Sequence, residues 1–232
     1  MATWRAHGGI ATGYAVGCCL RCVFCWVSWS RDFPEKYGSF HSPERAARRI
    51  EAAARKYGVR KARISGCEPT LCPEHLLELL KHVEKSSAIR LFILETNGIL
   101  MGADRSLAEE VAAFSKVHVR VSLKAGTPED FTRKTGAIPE AFELPFKAIR
   151  NLMEAGASFH VAAMSADPRL MSPEERLELY RRLAGISPEL PKVLEEEVCD
   201  PYDTALARLK LAGFKIEWPL KQVYPPISKI VG

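Results

Sequence analysis

The strongest constraint on what this chain can become is a pattern that recurs six times: a short apolar run, a loop, then an amphipathic helix. Residues 10–16 (IATGYAV), 61–65 (KARIS), 90–95 (RLFILE), 117–123 (VHVRVSL), 159–164 (FHVAAM) and 214–218 (FKIEW) read as strands, bounded by glycine or polar turn residues. Helical spacing fills the intervals. Ser42-Pro43-Glu44 opens the first helix as cap, first-turn proline and first-turn acid, and Gly58 closes it. A second helix runs from Pro73 to Lys85 with Leu76, Leu77, Leu80 and Val83 inward. Ser106 with Glu109, and Ser172 with Glu175, have capping-box spacing for two more. One helix ends near Gly156 and another begins near Asp200-Pro201.

Strands alternating with helices imply right-handed βαβ units and a parallel sheet. Six units fall short of the eight that close a full barrel. The expected fold is therefore α/β, a partial (β/α)6 barrel with parallel strands, open on one side. No shift in composition marks a linker, so residues 1–232 read as a single domain. Its core is 10–218, and the proline-bearing tail 219–232 (PLKQVYPPISKIVG) is an extended strap. In such folds chemistry collects where the carboxyl ends of the strands emerge. The unusual segments of this chain all fall there: the loop CCLRCVFCW (18–26), GCEPT (66–70), ETNG (95–98) and SLKAG (122–126).

Composition narrows the function classes. Hydrophobic residues make up 47% and charged residues 26%, which excludes wholesale disorder. No apolar run approaches the roughly 18 residues of a membrane span. The start MATWRAHGG lacks a basic-then-apolar leader pattern, so a cytoplasmic location is expected. The net charge of +5, from 33 basic against 28 acidic residues, is too mild to announce a nucleic-acid binder. In a reducing compartment an odd set of seven cysteines argues for metal or redox chemistry over a disulfide scaffold.

Three of those cysteines form Cys18-x3-Cys22-x2-Cys25, with Phe24 before the third and Trp26 after it. Zinc would ordinarily need a fourth Cys or His in a paired short spacing; Cys19 is an awkward candidate beside Cys18, and no downstream C-x2-C or H-x3-H exists. A cubane [4Fe–4S] cluster on three thiolates leaves one iron open to bind something else.

This loop, in its place after a first strand, resembles the cluster motif of the radical S-adenosylmethionine (radical SAM) superfamily over most of the chain. The resemblance implies a [4Fe–4S] cluster on Cys18, Cys22 and Cys25, with S-adenosylmethionine chelated at the open iron. It implies reductive cleavage to a 5′-deoxyadenosyl radical that abstracts hydrogen from a substrate, driven by a low-potential electron donor such as a flavodoxin- or ferredoxin-like protein. Phe24 would pack on the adenine and the backbone near Trp26 would meet its edge. Gly66-Cys67-Glu68-Pro69 occupies the place of the family's Gly-Gly-Glu-Pro stretch, which receives the methionine ammonium; Cys67 replaces a glycine and puts the local backbone geometry in question. Ser122 and Lys124 resemble the Asp-Leu-Lys of the glycyl-radical-enzyme activase branch, so Lys124 carries over as a carboxylate partner and Ser122 as a weaker polar one. Thr96, Asn97 and Met164 complete the implied cofactor-binding set.

The segments Thr96-Asn97-Gly98 and Thr127-Pro128-Glu129-Asp130-Phe131 also resemble the activase branch, whereas CVFCW is similar to the wyosine-forming tRNA enzyme. The expected substrate is therefore macromolecular, protein or RNA, handled in an activase-like way. RNA-base modification, a small-molecule mutase or methyltransferase, and a zinc-bound interaction module remain as alternatives. Cys19, Cys67, Cys72 and Cys199 read as small buried residues, with a redox or substrate-thiol role as the alternative for Cys67 and Cys72, which flank Glu68 in the loop at 66–72. The six histidines, His7, His41, His75, His82, His118 and His160, show no ligand spacing and read as structural. Trp29, Arg31 and Lys36 are candidates for the rim of the site.

Overall fold

The computed structural model describes residues 8–214 and 216–229. The N-terminal stretch 1–7 with His7, Lys215, and the end of the strap at 230–232 lie outside the described residues. Six strands lie in the order β1-β2-β3-β4-β5-β6, every neighbouring pair parallel. They are β1 Ala11–Ala15, β2 Lys61–Gly66, β3 Leu91–Thr96, β4 Val117–Leu123, β5 Phe159–Ala163 and β6 Glu195–Glu196. The helices are α1 Pro34–Tyr37, α2 Pro43–Lys56, α3 Pro73–Lys85, α4 Ile99–Ala103, α5 Arg105–Ala112, α6 Pro128–Thr135, α7 Glu143–Glu154, α8 Pro173–Ile186 and α9 Asp203–Leu211. This is the expected partial (β/α)6 arrangement.

The period of two along each strand divides its side chains between two environments. Phe92 and Leu94 of β3, Val117, Val119, Val121 and Leu123 of β4, and Val161 and Ala163 of β5 are buried in the core shared with the helices. Ile50 of α2, Leu80 of α3, Val111 of α5, Ile149 of α7 and Leu183 of α8 supply its other side.

The alternate positions carry charge. Arg63 of β2 pairs with Glu95 of β3 at 2.9 Å and donates to Thr12 of β1 at 3.0 Å. Arg120 of β4 reaches Glu195 at 3.0 Å and Glu197 at 2.6 Å. His118 and His160 share a 2.7 Å hydrogen bond between Nε2 and Nδ1, and His160 Nε2 meets Glu195 at 2.8 Å. The inward face is thus a polar lumen whose contacts tie β1 through β3 in one set and β4 through β6 in another.

Three expectations need correction. Cys199 is buried as expected, but Cys19 and Cys72 are exposed, since both sit on loops outside the core. The sixth strand is Glu195–Glu196, not 214–218; of that segment the described residues 214 and 216–218 form no strand. Glutamates are poor strand formers, so the run LEEE conceals the strand from propensity. Ion pairs to Arg120 and His160 override that preference, and they exist only once the sheet has formed. Phe214 instead lies under the Arg133 guanidinium, and Trp218 under that of Arg169. The third correction concerns caps. Asp104, not Ser106, caps α5 by accepting from Ser106 N at 2.9 Å, and Glu109 pairs with Arg105. Ser172 does cap α8, accepting from Glu175 N at 3.1 Å, but the Glu175 carboxylate turns inward to Lys134.

The tail follows an extended course. Tyr224 N donates to Ala166 O at 3.0 Å and Ile227 N to Glu196 Oε2 at 2.7 Å, before a single 3-10 turn at Ile227–Lys229.

The lumen histidines make stability pH-dependent. Burial, and then the neighbouring His160, hold the His118 pKa down at about 4 against an ordinary 6.5. Between those values the unfolded chain binds a proton that the folded chain does not, so stability present above pH 6.5 is lost as pH falls toward 4. Burial alone would raise Glu195, but its hydrogen bonds from His160 and Arg120 prevail and bring it down to about 2, which adds a second loss below pH 4.5. Denaturant unfolding should show a loss on the order of 2 kcal/mol between pH 7 and pH 4, after allowance for solvent screening. His118→Gln should flatten the upper part of that limb; an unchanged profile would remove His118 as its source.

Candidate active site

At the carboxyl ends of the strands a cavity of about 830 Å³, counted to its open mouth, receives a side chain or backbone from nearly every βα loop. Cys18, Cys22, Cys25, Phe24 and Trp26 enter it from the loop after β1. Gly66, Cys67 and Glu68 follow β2, and Thr96 and Asn97 end β3. Ser122 and Lys124 end β4, and Met164 follows β5. Every residue implied by the family resemblance lines this one space.

The cysteine loop has no regular secondary structure of its own, so its backbone groups are satisfied from outside. Arg21 N and Val23 N donate to Thr135 O and Lys134 O, each at 2.8 Å, hanging the loop on the end of α6. Buried Arg31 donates to Cys22 O at 2.7 Å and pairs with Asp32 at 2.8 Å. From the far end of the chain, Arg208 of α9 donates to the carbonyls of Cys25, at 2.7 Å, and Val27 and Ser28, and pairs with Asp32 at 2.9 Å. Burial works against ionisation of Asp32, but the Arg31 and Arg208 contacts prevail and lower its pKa. With Arg21 Nε at 3.4 Å from the same carboxylate, three guanidiniums on Asp32 brace the loop.

Glu68 is 2% exposed and fully engaged. One carboxylate oxygen accepts from Thr70 N at 3.1 Å, Thr70 Oγ1 at 2.6 Å and Thr96 Oγ1 at 2.8 Å; the other accepts from Asn97 N at 2.7 Å. It is a strut tying the loop after β2 to the end of β3. Asn97, one residue before the Gly98 cap of α4, accepts from Ile99 N at 3.0 Å through its Oδ1 and points its amide at Cys19 Sγ at 3.3 Å. Lys124 Nζ donates to Ser122 Oγ at 2.6 Å.

The replacement of glycine by Cys67 is accommodated without strain. Gly66 takes the left-handed conformation at φ +96°, and no described non-glycine residue has positive φ. A Cβ on Gly66 would come within 3.2 Å of Ala15 O and of the Tyr14 ring. The glycine that the turn requires is therefore present, and Cys67 turns its thiol toward the cavity wall. Burial, then the nearby Cys18 and Cys25, push that thiol up to about 12.

The donor set fits an iron–sulfur cluster. Burial pushes the Cys22 thiol up to about 12, and Cys18 is raised by its hydrogen bond with Cys19 and then by burial. Desolvated thiols of this kind ionise only beside compensating positive charge, which bound iron supplies. Among the described residues no group of three or more His, Cys, Asp or Glu side chains is gathered as around one metal ion.

Several members of the site were invisible to motif reading. Arg120, Glu95 and Glu197 line the cavity floor beneath the loop residues. Of the expected rim residues, Arg31 reaches the cavity, whereas Trp29 lies under Arg208 with 5.5 Å from guanidinium to ring centre. Arg208 had no local signal, because its partners lie about 180 residues away in sequence.

The Radical SAM superfamily model matches residues 14–166. A probable GTP 3′,8-cyclase of Methanosarcina mazei is 32% identical over 157 residues, which is 65% of this chain and 44% of that protein. The chain thus spans less than half the length of that curated relative. Among solved structures, native anSMEcpe with bound AdoMet superposes with a TM-score of 0.59 at 19% identity, covering 82% of this chain and 52% of that one. TYW1 with a lysine–pyruvate adduct gives 0.58 at 18% identity, covering 91% and 78%. Among the described residues no helix is long and apolar enough to cross a membrane. With the matched segment running from β1 through β5 and carrying all three motif cysteines, the chain belongs to the radical SAM superfamily, whose cofactors are a [4Fe–4S] cluster and S-adenosylmethionine.

Proposed function

We propose that this chain is a radical SAM enzyme that holds its cluster on Cys18, Cys22 and Cys25 and acts on a nucleotide-class substrate. The observation carrying the first half is that the three thiols, Gly66 to Glu68, Thr96 with Asn97, and Ser122 to Lys124 share one cavity wall. When bound, the cofactors supply one-electron cleavage of S-adenosylmethionine and a carbon radical capable of hydrogen abstraction. The chain's own residues bind and orient. Phe24 packs on the adenine, and the backbone near Trp26 meets its edge. The Gly66–Cys67 backbone, held in place by Glu68, receives the ammonium group. Lys124, steadied by Ser122, pairs with the carboxylate, while Thr96, Asn97 and Met164 complete the walls. Residues 1–232 work as one domain, core 10–218, with 219–232 as its strap.

The nucleotide class rests on relatives named as GTP 3′,8-cyclases, including one from Desulforamulus reducens that is 34% identical over 118 residues. The activase-like protein substrate has less behind it, since the named curated relatives point to a small molecule. A flavodoxin- or ferredoxin-like donor would supply the electron. The test is anaerobic reconstitution followed by incubation with S-adenosylmethionine and dithionite. A brown protein with about four irons per chain that releases 5′-deoxyadenosine is expected. A colourless protein with one zinc would overturn the reading, and accumulation of S-adenosylhomocysteine would replace it with methyl transfer.

A further inference from the structure

A second depression, about 2270 Å³ counted to open solvent, adjoins the cavity and shares Trp26, Gly66 and Glu68 with it. Its enclosed part, about 1100 Å³, reaches the upper end of the roughly 300–1,000 Å³ typical of small-molecule pockets. Its walls come from the end of β1, the loop 26–41, and the starts of α2 and α3.

Its surface is aromatic to a degree that folding does not require. Tyr14, Trp26, Tyr37 and Phe40 all line it and are all exposed, Phe40 completely. Trp26 stands edge-on to Tyr14 at 6.0 Å between ring centres and lies 6.1 Å from Tyr202 on its other side, so rings continue past the cavity mouth. The loop carrying Phe40 is seated by Gly38, where a Cβ would meet Val16 Cγ2 at 2.8 Å. Exposed apolar rings in a row usually mark a binding surface.

The ionisable groups facing the groove are nearly all basic. Lys36 and Arg49 line it with His41 and His75; Arg49 Nη1 meets His41 Nε2 at 3.1 Å, and His41 Nδ1 is buried without a hydrogen-bond partner. The acid on the lining is Glu68, which is buried and committed to Thr70, Thr96 and Asn97. Rings for stacking, cations for phosphates and a trough that continues past Trp26 into the cavity make a single-strand nucleic-acid surface. The exposed hydroxyl of Ser39 on the same wall favours RNA, whose 2′-OH it can meet.

We propose that this groove binds a single strand of RNA and feeds one of its nucleotides past Trp26 into the cavity. The nucleotide-class substrate is then a residue of a strand and not a free nucleotide, an inference that rests on the reading above.

Fluorescence anisotropy of a labelled 12-nucleotide single-stranded RNA against the intact chain tests it. Micromolar binding is expected at 50 mM salt, with log affinity falling by about 0.7 per phosphate contact for each decade of salt. Tyr37→Ala with Phe40→Ala should weaken binding at least about tenfold, and Arg49→Gln should weaken it and shallow the salt slope. The proposal is overturned if binding is absent, if these variants leave it unchanged, or if GTP displaces the strand at equal concentration. Equal binding of the matching DNA, or Phe40-dependent binding of polyglutamate, would overturn it in favour of another occupant. Basal 5′-deoxyadenosine release should survive in Phe40→Ala. Release that fails in the unaltered chain, with RNA binding intact, would count against the enzymatic reading and not against the groove.

Discussion

Cys22→Ala is expected to abolish 5′-deoxyadenosine release and to leave reconstituted protein with far fewer than four irons per chain. Cys22 is the most buried of the three motif thiols, and its carbonyl accepts from Arg31. A cluster deprived of one of three thiolates is not expected to recruit a substitute, because Cys19 is exposed and accepts from the Asn97 amide while Cys67 is carried by the separate loop after β2. Release should drop to background, a loss of at least about a thousandfold, since the chemistry belongs to the cofactor. The fold should change little, because alanine leaves only a small void at that position and costs about 1–2 kcal/mol. Iron content, visible absorbance and product release measured on one preparation check this. Full iron occupancy in the variant would remove Cys22 from the ligand set.

Lys134→Met is expected to be the most damaging single change outside the cysteines. Lys134 Nζ lies 2.6 Å from both oxygens of Glu175, and both side chains are essentially buried. Burial lowers the Lys134 pKa and raises that of Glu175, so each charge is kept by the other. Removing one strands the other, at a cost of about 3–5 kcal/mol and on the order of 10 °C in Tm. The double change Lys134→Met with Glu175→Leu should recover most of this, less the bond from Gly126 N to Glu175 at 2.9 Å. Because Val23 N hangs on the Lys134 carbonyl, the single variant should also bind iron less firmly. Chemical denaturation of the two variants decides the matter; a loss below about 1 kcal/mol in Lys134→Met would show the pair to be dispensable.

These residues mark the boundary of what could be read from the chain alone. The five longer strands and the caps at Ser42 and Ser172 were legible, because period-two patterns and hydroxyl-proline-acid starts are local signals. The segments that line the cavity were legible for the same reason: Cys18, Cys22 and Cys25, Gly66 to Glu68, and Ser122 with Lys124 are each short segments at strand ends. The sixth strand was not. Glu195 and Glu197 resemble a solvated acidic run until Arg120 and His160 are brought beside them. Asp104 displaced Ser106 as a cap because the two differ by two positions and only the backbone geometry distinguishes them.

By itself, then, the sequence determined the order of the first five βα units and the loops that line the cavity, since both are written in contiguous residues. Tertiary structure alone decided how the cysteine loop is braced, by Arg208 from α9 and by the backbone of Lys134, and how the lumen becomes charged. Those contacts join residues far apart in the chain, and a charged side chain shows no preference for its partner until folding removes both from water.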